Sequence, residues 1–168
     1  IKRIETASSS LKNGKLVVFP TETVFGLGAI GTNERAISAI YAAKNRPQNN
    51  PLIAHFSSLE QVKKYVIFTD LANRLAANFW PGPLTMVLNI NEKNPFSKIL
   101  SRGKNVLAVR IPSHPVALDL ISQAETPILA PSANKSGGVS PTSAKHVKQD
   151  FKKLNGPTWE ISDILDFN

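Results

Sequence analysis

Two short stretches hold the side chains best suited to chemistry. Lys44-Asn45-Arg46-Pro47 sets two cations one residue apart, and Pro131-Ser132-Ala133-Asn134, far downstream, offers a hydroxyl and an amide among small neighbours. Such cations make charge-assisted hydrogen bonds, and the planar guanidinium of Arg46 can grip a carboxylate or phosphate through two parallel N–H groups. Small neighbours let the backbone itself come close. The combination predicts a site for an anion.

The elements around these stretches must bring them together. Thr32 or Asn33 can cap a helix that has Glu34 in its first turn and Ala36, Ile37, Ile40 and Tyr41 as its packing face. That run ends at Ala43 and hands Lys44 and Arg46 to a proline-stopped polar loop. Ile128 to Ala130 predicts a short strand that delivers Ser132 and Asn134. Upstream, the spacing of Ile1, Ile4, Ala7 and Leu11 predicts a helix closed by Asn13-Gly14, and Lys15 to Pro20 reads as a buried strand. Gly26 and Gly28, after Thr21-Glu22-Thr23, predict tight turning or close backbone approach of the kind ligand loops use.

Pro51 to Phe56 predicts a second strand. Ser57 or Ser58 then caps a helix through Tyr65, and Thr69 caps another reaching Phe79, which Trp80-Pro81-Gly82-Pro83 breaks. Leu84 to Ile90 and Val106 to Ile111 predict strands separated by a polar, mobile loop. Ser113 with Pro115 opens a helix through about Gln123, and Thr142 caps a last helix from Ala144 to about Lys152. Beyond Asn155 the pattern is weak. Alternating short strands and helices predict an α/β fold, a twisted mixed sheet flanked by helices, with polar loops meeting in a concave, basic cavity. Neither a Gly-x-Gly-x-x-Gly nor a Walker motif is present.

The 168 residues, 42% of them hydrophobic, suit one domain over 1–168. Twenty Lys and Arg against twelve Asp and Glu give a net charge of +8, which favours a polyanion or a highly charged nucleotide as partner. The absence of cysteine removes disulfides, thiolate zinc sites and cysteine nucleophiles. His55, His114 and His146 are too scattered for a metal cluster, so no protein-borne metal is expected. No apolar run approaches the roughly 20 residues that cross a bilayer, and the first residues lack a secretory signal, so a cytoplasmic protein without membrane attachment is expected.

Five segments carry a resemblance. They are Pro20-Thr21-Glu22-Thr23-Val24-Phe25-Gly26-Leu27-Gly28; Lys44-Asn45-Arg46-Pro47 with Asn50-Pro51-Leu52; Trp80-Pro81-Gly82-Pro83-Leu84-Thr85; Val109-Arg110-Ile111-Pro112 with His114-Pro115; and Ser132-Ala133-Asn134-Lys135-Ser136-Gly137 with Ser140-Pro141-Thr142. In order and spacing they resemble the YrdC-like family of L-threonylcarbamoyl-AMP synthases, from about Lys15 to Thr142, in its short single-domain form.

The resemblance implies a reaction of L-threonine, bicarbonate and ATP that yields threonylcarbamoyl-AMP, pyrophosphate and water. Magnesium accompanies the nucleotide, and a threonylcarbamoyl transferase complex that modifies tRNA receives the product. It implies that Lys44, Arg46, Ser132 and Asn134 surround the reacting centre, and that Arg46, Asn50, Val106, Ser132 and Ser140 touch ATP. Thr23, His55, Arg110 and the backbone at Ala130 would hold threonine, with Arg110 as the carboxylate clamp. No strong general base stands out, which suits chemistry run by positioning and electrostatics. The rival from another class is a non-catalytic module that grips tRNA or structured RNA through phosphates; only 7% of the residues are aromatic, a poor supply for stacking bases.

Overall fold

Leu16-Val17-Val18-Phe19 is the clearest case of sequence dictating placement. All four residues are buried, and because successive strand side chains point to opposite faces they enter two different cores. Leu16 and Val18 join one cluster, Val17 and Phe19 the other. At β1 the sheet is therefore covered on both faces. The computed structural model describes residues 2–167; Ile1, where the predicted first helix begins, and Asn168 lie outside the described residues.

The helices are α1 (Lys2–Lys12), α2 (Glu34–Lys44), α3 (Leu59–Lys63), α4 (Asp70–Phe79), α5 (Ser97–Leu100), α6 (Pro115–Ala124) and α7 (Ala144–Asp150). The strands are β1 (Leu16–Phe19), β2 (Gly26–Ile30), β3 (Ile53–His55), β4 (Met86–Asn89), β5 (Val106–Arg110), β6 (Ile128–Leu129) and β7 (Ile161–Ile164). They form one mixed sheet in the order β4-β5-β3-β6-β2-β1-β7, with β3 parallel to β5, β1 parallel to β7 and the other pairs antiparallel. The expected mixed α/β sheet is therefore present. Ile4, Ala7 and Leu11 of α1 pack with Ala117, Leu120 and Ile121 of α6 on one face, and α2 contributes Ile37, Ile40 and Tyr41 to the other.

Several local expectations need correction. Of the two expectations for Gly26 and Gly28, tight turning fails and close approach holds: both lie in a buried strand, packed against Phe19. A Cβ on Gly28 would come within 2.8 Å of both Ile128 Cγ2 and Phe19 Cε1, so the missing side chain makes room for the Phe19 ring. The polar loop after β4 contains α5 and is fastened: Ser97 Oγ donates to Tyr65 O at 2.9 Å and Asn94 Nδ2 to Lys64 O at 3.1 Å. Asn33, Ser58 and Thr69 cap as expected. His114 and Ser143, not Ser113 and Thr142, cap α6 and α7. The weakly patterned tail supplies β7, which finds its register on β1 rather than in its own composition.

Candidate functional site

Lys44 is the last residue of α2, not part of the loop after it, and Asn45 ends the helix in the left-handed conformation with φ 53°. Its side chain is buried, 1% exposed. A buried ammonium needs acceptors, and two backbone carbonyls supply them: Lys44 Nζ donates to Ser132 O at 2.5 Å and to Asn134 O. The loop returns the contact, because Ser136 N donates to Lys44 O at 3.1 Å and Lys135 Nζ to Ala43 O. Burial first, and then the nearby Arg46 charge, pulls the Lys44 pKa down to about 8.

The loop that carries Ser132 and Asn134 is zipped along β2. Leu27 N donates to Pro131 O, Ala133 N to Phe25 O and Phe25 N to Pro141 O. Ser132 Oγ donates to Asn134 Oδ1 at 2.5 Å, while Asn134 Nδ2 donates to Lys135 O and Gly138 O. These bonds fix both side chains within the loop whose carbonyls hold the Lys44 ammonium. Arg46 is half-buried; one Nη donates to Pro51 O at 2.8 Å, and its Nε is buried with no protein acceptor. The structure thus brings Lys44 onto the Ser132–Asn134 loop, with Arg46 near enough for its charge to act on Lys44. Asn50 and Ser140 are both exposed, and the Asn50 carbonyl accepts from Tyr41 Oη at 2.7 Å.

Alternation along β5 builds a second row. Val106, Ala108 and Arg110 point to the same face, and the register sets Ala108 opposite Ile53 and Arg110 opposite His55. This is the face that α1 and α6 cover over β1, β2 and β6; over β5 and β4 it stays open, with Val106 41% and Val87 64% exposed. From Val106 to Arg110 the row spans about 13 Å, four residues at roughly 3.3 Å each. At the Val106 end lies a cavity of about 250 Å³ bounded also by Tyr41, Pro51, Leu52 and Ala108. Arg102 closes over it, its guanidinium 4.3 Å from the Tyr41 ring centroid and an Nη donating to Gln48 Oε1. In the sequence Tyr41 reads only as core and Arg102 only as part of a polar loop; their meeting at this cavity is visible in the fold alone.

Arg110 closes the other end. It is 6% exposed, its Nε donates to Gly82 O at 3.0 Å, one Nη donates to Thr23 Oγ1 at 3.2 Å, and the other pairs with Glu22 Oε1. Burial lowers its pKa. His55 stands beside it, 4% exposed, edge-on to Phe19 at 5.9 Å and with Nδ1 3.1 Å from Ile53 O. Burial pushes the His55 pKa down to about 4, so the ring is neutral at pH 7. The Ala130 amide donates to Ile53 O and the residue is buried. Thr23 and Arg110 therefore touch, with His55 next to them in the sheet. Glu22 reads in the sequence only as part of a turn, because Arg110 and Ser113, its partners, are remote along the chain.

The sequence pattern of the Sua5, YciO and YrdC family, described as telomere recombination, matches residues 9–156. A threonylcarbamoyl-AMP synthase of Pyrococcus abyssi is 49% identical over 152 residues, 89% of this chain and 44% of that protein. One of Schizosaccharomyces pombe is 42% identical over 172 residues, covering 89% of this chain and 42% of its own. The crystal structure of P. abyssi Sua5 complexed with L-threonine superposes with a TM-score of 0.88 at 47% identity, covering 98% of this chain and 46% of that one. The chain spans less than half the length of these relatives. Pattern, identity and fold agree: the chain belongs to the Sua5/YciO/YrdC family.

Proposed function

We propose that this chain, acting as one domain over 1–168, is an L-threonylcarbamoyladenylate synthase and hence a nucleotidyltransferase. The observation that carries the reading is the meeting of Lys44 with the Ser132–Asn134 loop beside Arg46. Support also comes from the names of the relatives and from the threonine complex of the P. abyssi protein.

In this proposal threonine lies along the Arg110 end of the β5 row, with its carboxylate on the guanidinium and Thr23, neutral His55 and the Ala130 backbone around it. Adenine fills the cavity beside Val106, Asn50 and Ser140 flank the nucleotide, and Arg46 and Ser132 face its phosphates. Bicarbonate carboxylates the threonine amine with loss of water. An oxygen of the resulting carbamate attacks the α-phosphorus, forming the P–O bond as the bond to pyrophosphate breaks. Carbamate and triphosphate repel one another, and the ammonium of Lys44 with the guanidinium of Arg46 offsets that repulsion where water is excluded.

The chain's donors here are ammonium, guanidinium, hydroxyl and amide groups, and among the described residues no group of three or more His, Cys, Asp or Glu could hold a metal. They fit a magnesium ion that arrives on the ATP phosphates, where it neutralises part of their charge. No helix among the described residues is long and apolar enough to cross a membrane; we place the reaction in the cytoplasm, where a tRNA-modifying transferase complex takes up the product.

The test is pyrophosphate release from ATP with and without L-threonine and bicarbonate, beside Lys44→Ala. Dependence on both additions is expected, and its loss in the variant. Release that ignores threonine, or no release from folded protein that binds tRNA in a salt-sensitive way, would overturn the reading and favour RNA binding.

A further inference from the structure

Arg110 carries more than its proposed role allows. A guanidinium grips a carboxylate in the two-pronged manner through two N–H groups on one edge. On Arg110 the edge formed by the two Nη atoms is occupied, one Nη donating to Thr23 Oγ1 and the other lying against Glu22 Oε1 as an ion pair without a hydrogen bond of its own, while Nε is held by Gly82 O. An amino-acid carboxylate cannot take that edge while Glu22 holds it.

Glu22 is built both to hold and to leave. Its Oε2 accepts from the backbone N–H and the Oγ–H of Ser113, so the carboxylate bridges Arg110 and the entry to α6. Yet its side chain is 22% exposed against 8% for Arg110, and it rides on the short Thr21–Thr23 turn, where Thr21 Oγ1 also accepts from Thr23 N and Val24 N. Departure of Glu22 would turn its carboxylate to water, while Gly82 O keeps the guanidinium in place.

We infer that Glu22 is a resident carboxylate, holding Arg110 in the empty site and displaced from it by the carboxylate of the incoming amino acid. It stands in for the ligand and supplies the counter-charge a buried arginine needs. The inference deepens the proposed function and rests on the assignment of Arg110 to threonine. A resident group at home about nine-tenths of the time weakens the apparent affinity about tenfold.

The experiment measures L-threonine binding by calorimetry for the protein, for Glu22→Gln and for Ser113→Ala. Displacement predicts about tenfold tighter binding by Glu22→Gln. It also predicts about threefold tighter binding by Ser113→Ala, which keeps the Glu22 charge and removes one bond that detains it. L-threoninamide, which lacks the carboxylate, gains nothing in either variant. Weaker or unchanged binding by Glu22→Gln makes Glu22 a fixed positioning residue, and a gain in Glu22→Gln without one in Ser113→Ala makes it only a repelling charge; either overturns the inference and leaves the proposed function standing. If threonine binds to none of the three, acetate decides. A rise in the melting temperature of Glu22→Ala with sodium acetate, beyond that with sodium chloride and beyond that of the unaltered protein, keeps the displaceable carboxylate and removes threonine as its ligand; no such rise overturns both.

Discussion

Lys44 Nζ donates to the carbonyl oxygen of Ser132 at 2.5 Å, joining the last residue of α2 to a loop 88 positions downstream. With the bond to Asn134 O, this makes Lys44 both a tie between two segments and a buried positive charge. Lys44→Met keeps most of the volume and removes the donor. We expect it to fold, to lose about 1–3 kcal/mol because carbonyls are left without their charged partner, and to lose about 10²–10³ in turnover. Urea unfolding and pyrophosphate release measure the two separately. Undiminished release would take Lys44 out of the reacting site.

The same ammonium sets a pH dependence. Its pKa lies near 8 in the fold, below the ordinary 10.5, chiefly because burial disfavours the charged form. Between those values the unfolded chain binds the additional proton, so the cost of burying this charge, full below pH 8, is relieved as pH rises toward 10.5. The relief is on the order of 3 kcal/mol and is absent from Lys44→Met. Turnover moves the other way, falling above about pH 8 as the cation is lost. Unfolding of the two proteins from pH 7.5 to 10 tests the first half. A rate that stays flat through pH 9.5 would refute the second.

What the sequence disclosed and what it hid divide along physical lines. Helix caps such as Asn33 and Thr69 act on amides two or three residues away, so they can be read locally. The approach of Lys44 to the Ser132–Asn134 loop was legible through residue type. The burial of Lys44 was not, because its carbonyl acceptors come from backbone that any sequence possesses. Nor was β2: glycine in isolation signals turning or close approach alike, and it takes Phe19 and Ile128 on the neighbouring strands to explain why Gly28 has no side chain. Glu22 stayed hidden for a similar reason, since its partners Arg110 and Ser113 are remote in sequence.

Gly28 therefore offers a test of packing that is independent of chemistry. In Gly28→Ala the added methyl would meet Ile128 Cγ2 and Phe19 Cε1, both at 2.8 Å and both in the core under α1 and α6. Overpacking of this kind costs about 1–3 kcal/mol. Thermal unfolding should show the loss. A variant as stable as the parent would mean that Phe19 can rotate away, and that β2 does not need glycine there.

Arg110 tests whether charge alone suffices at the far end of the row. Arg110→Lys keeps a cation on a side chain of similar reach, but its single ammonium cannot serve Gly82 O, Thr23 Oγ1 and the Glu22 carboxylate from three separate nitrogens. Leaving the acceptors around a buried cation unserved costs about 1–3 kcal/mol, and the retained lysine charge should keep the loss within that range. For turnover, we expect the KM for L-threonine to rise about tenfold or more while the KM for ATP holds, because the Val106 cavity lies four residues away along β5. Steady-state kinetics with each substrate varied in turn separates the two. Equal rises in both constants would mean that Arg110 supports the sheet as a whole, and the carboxylate clamp would have to be sought at another cation.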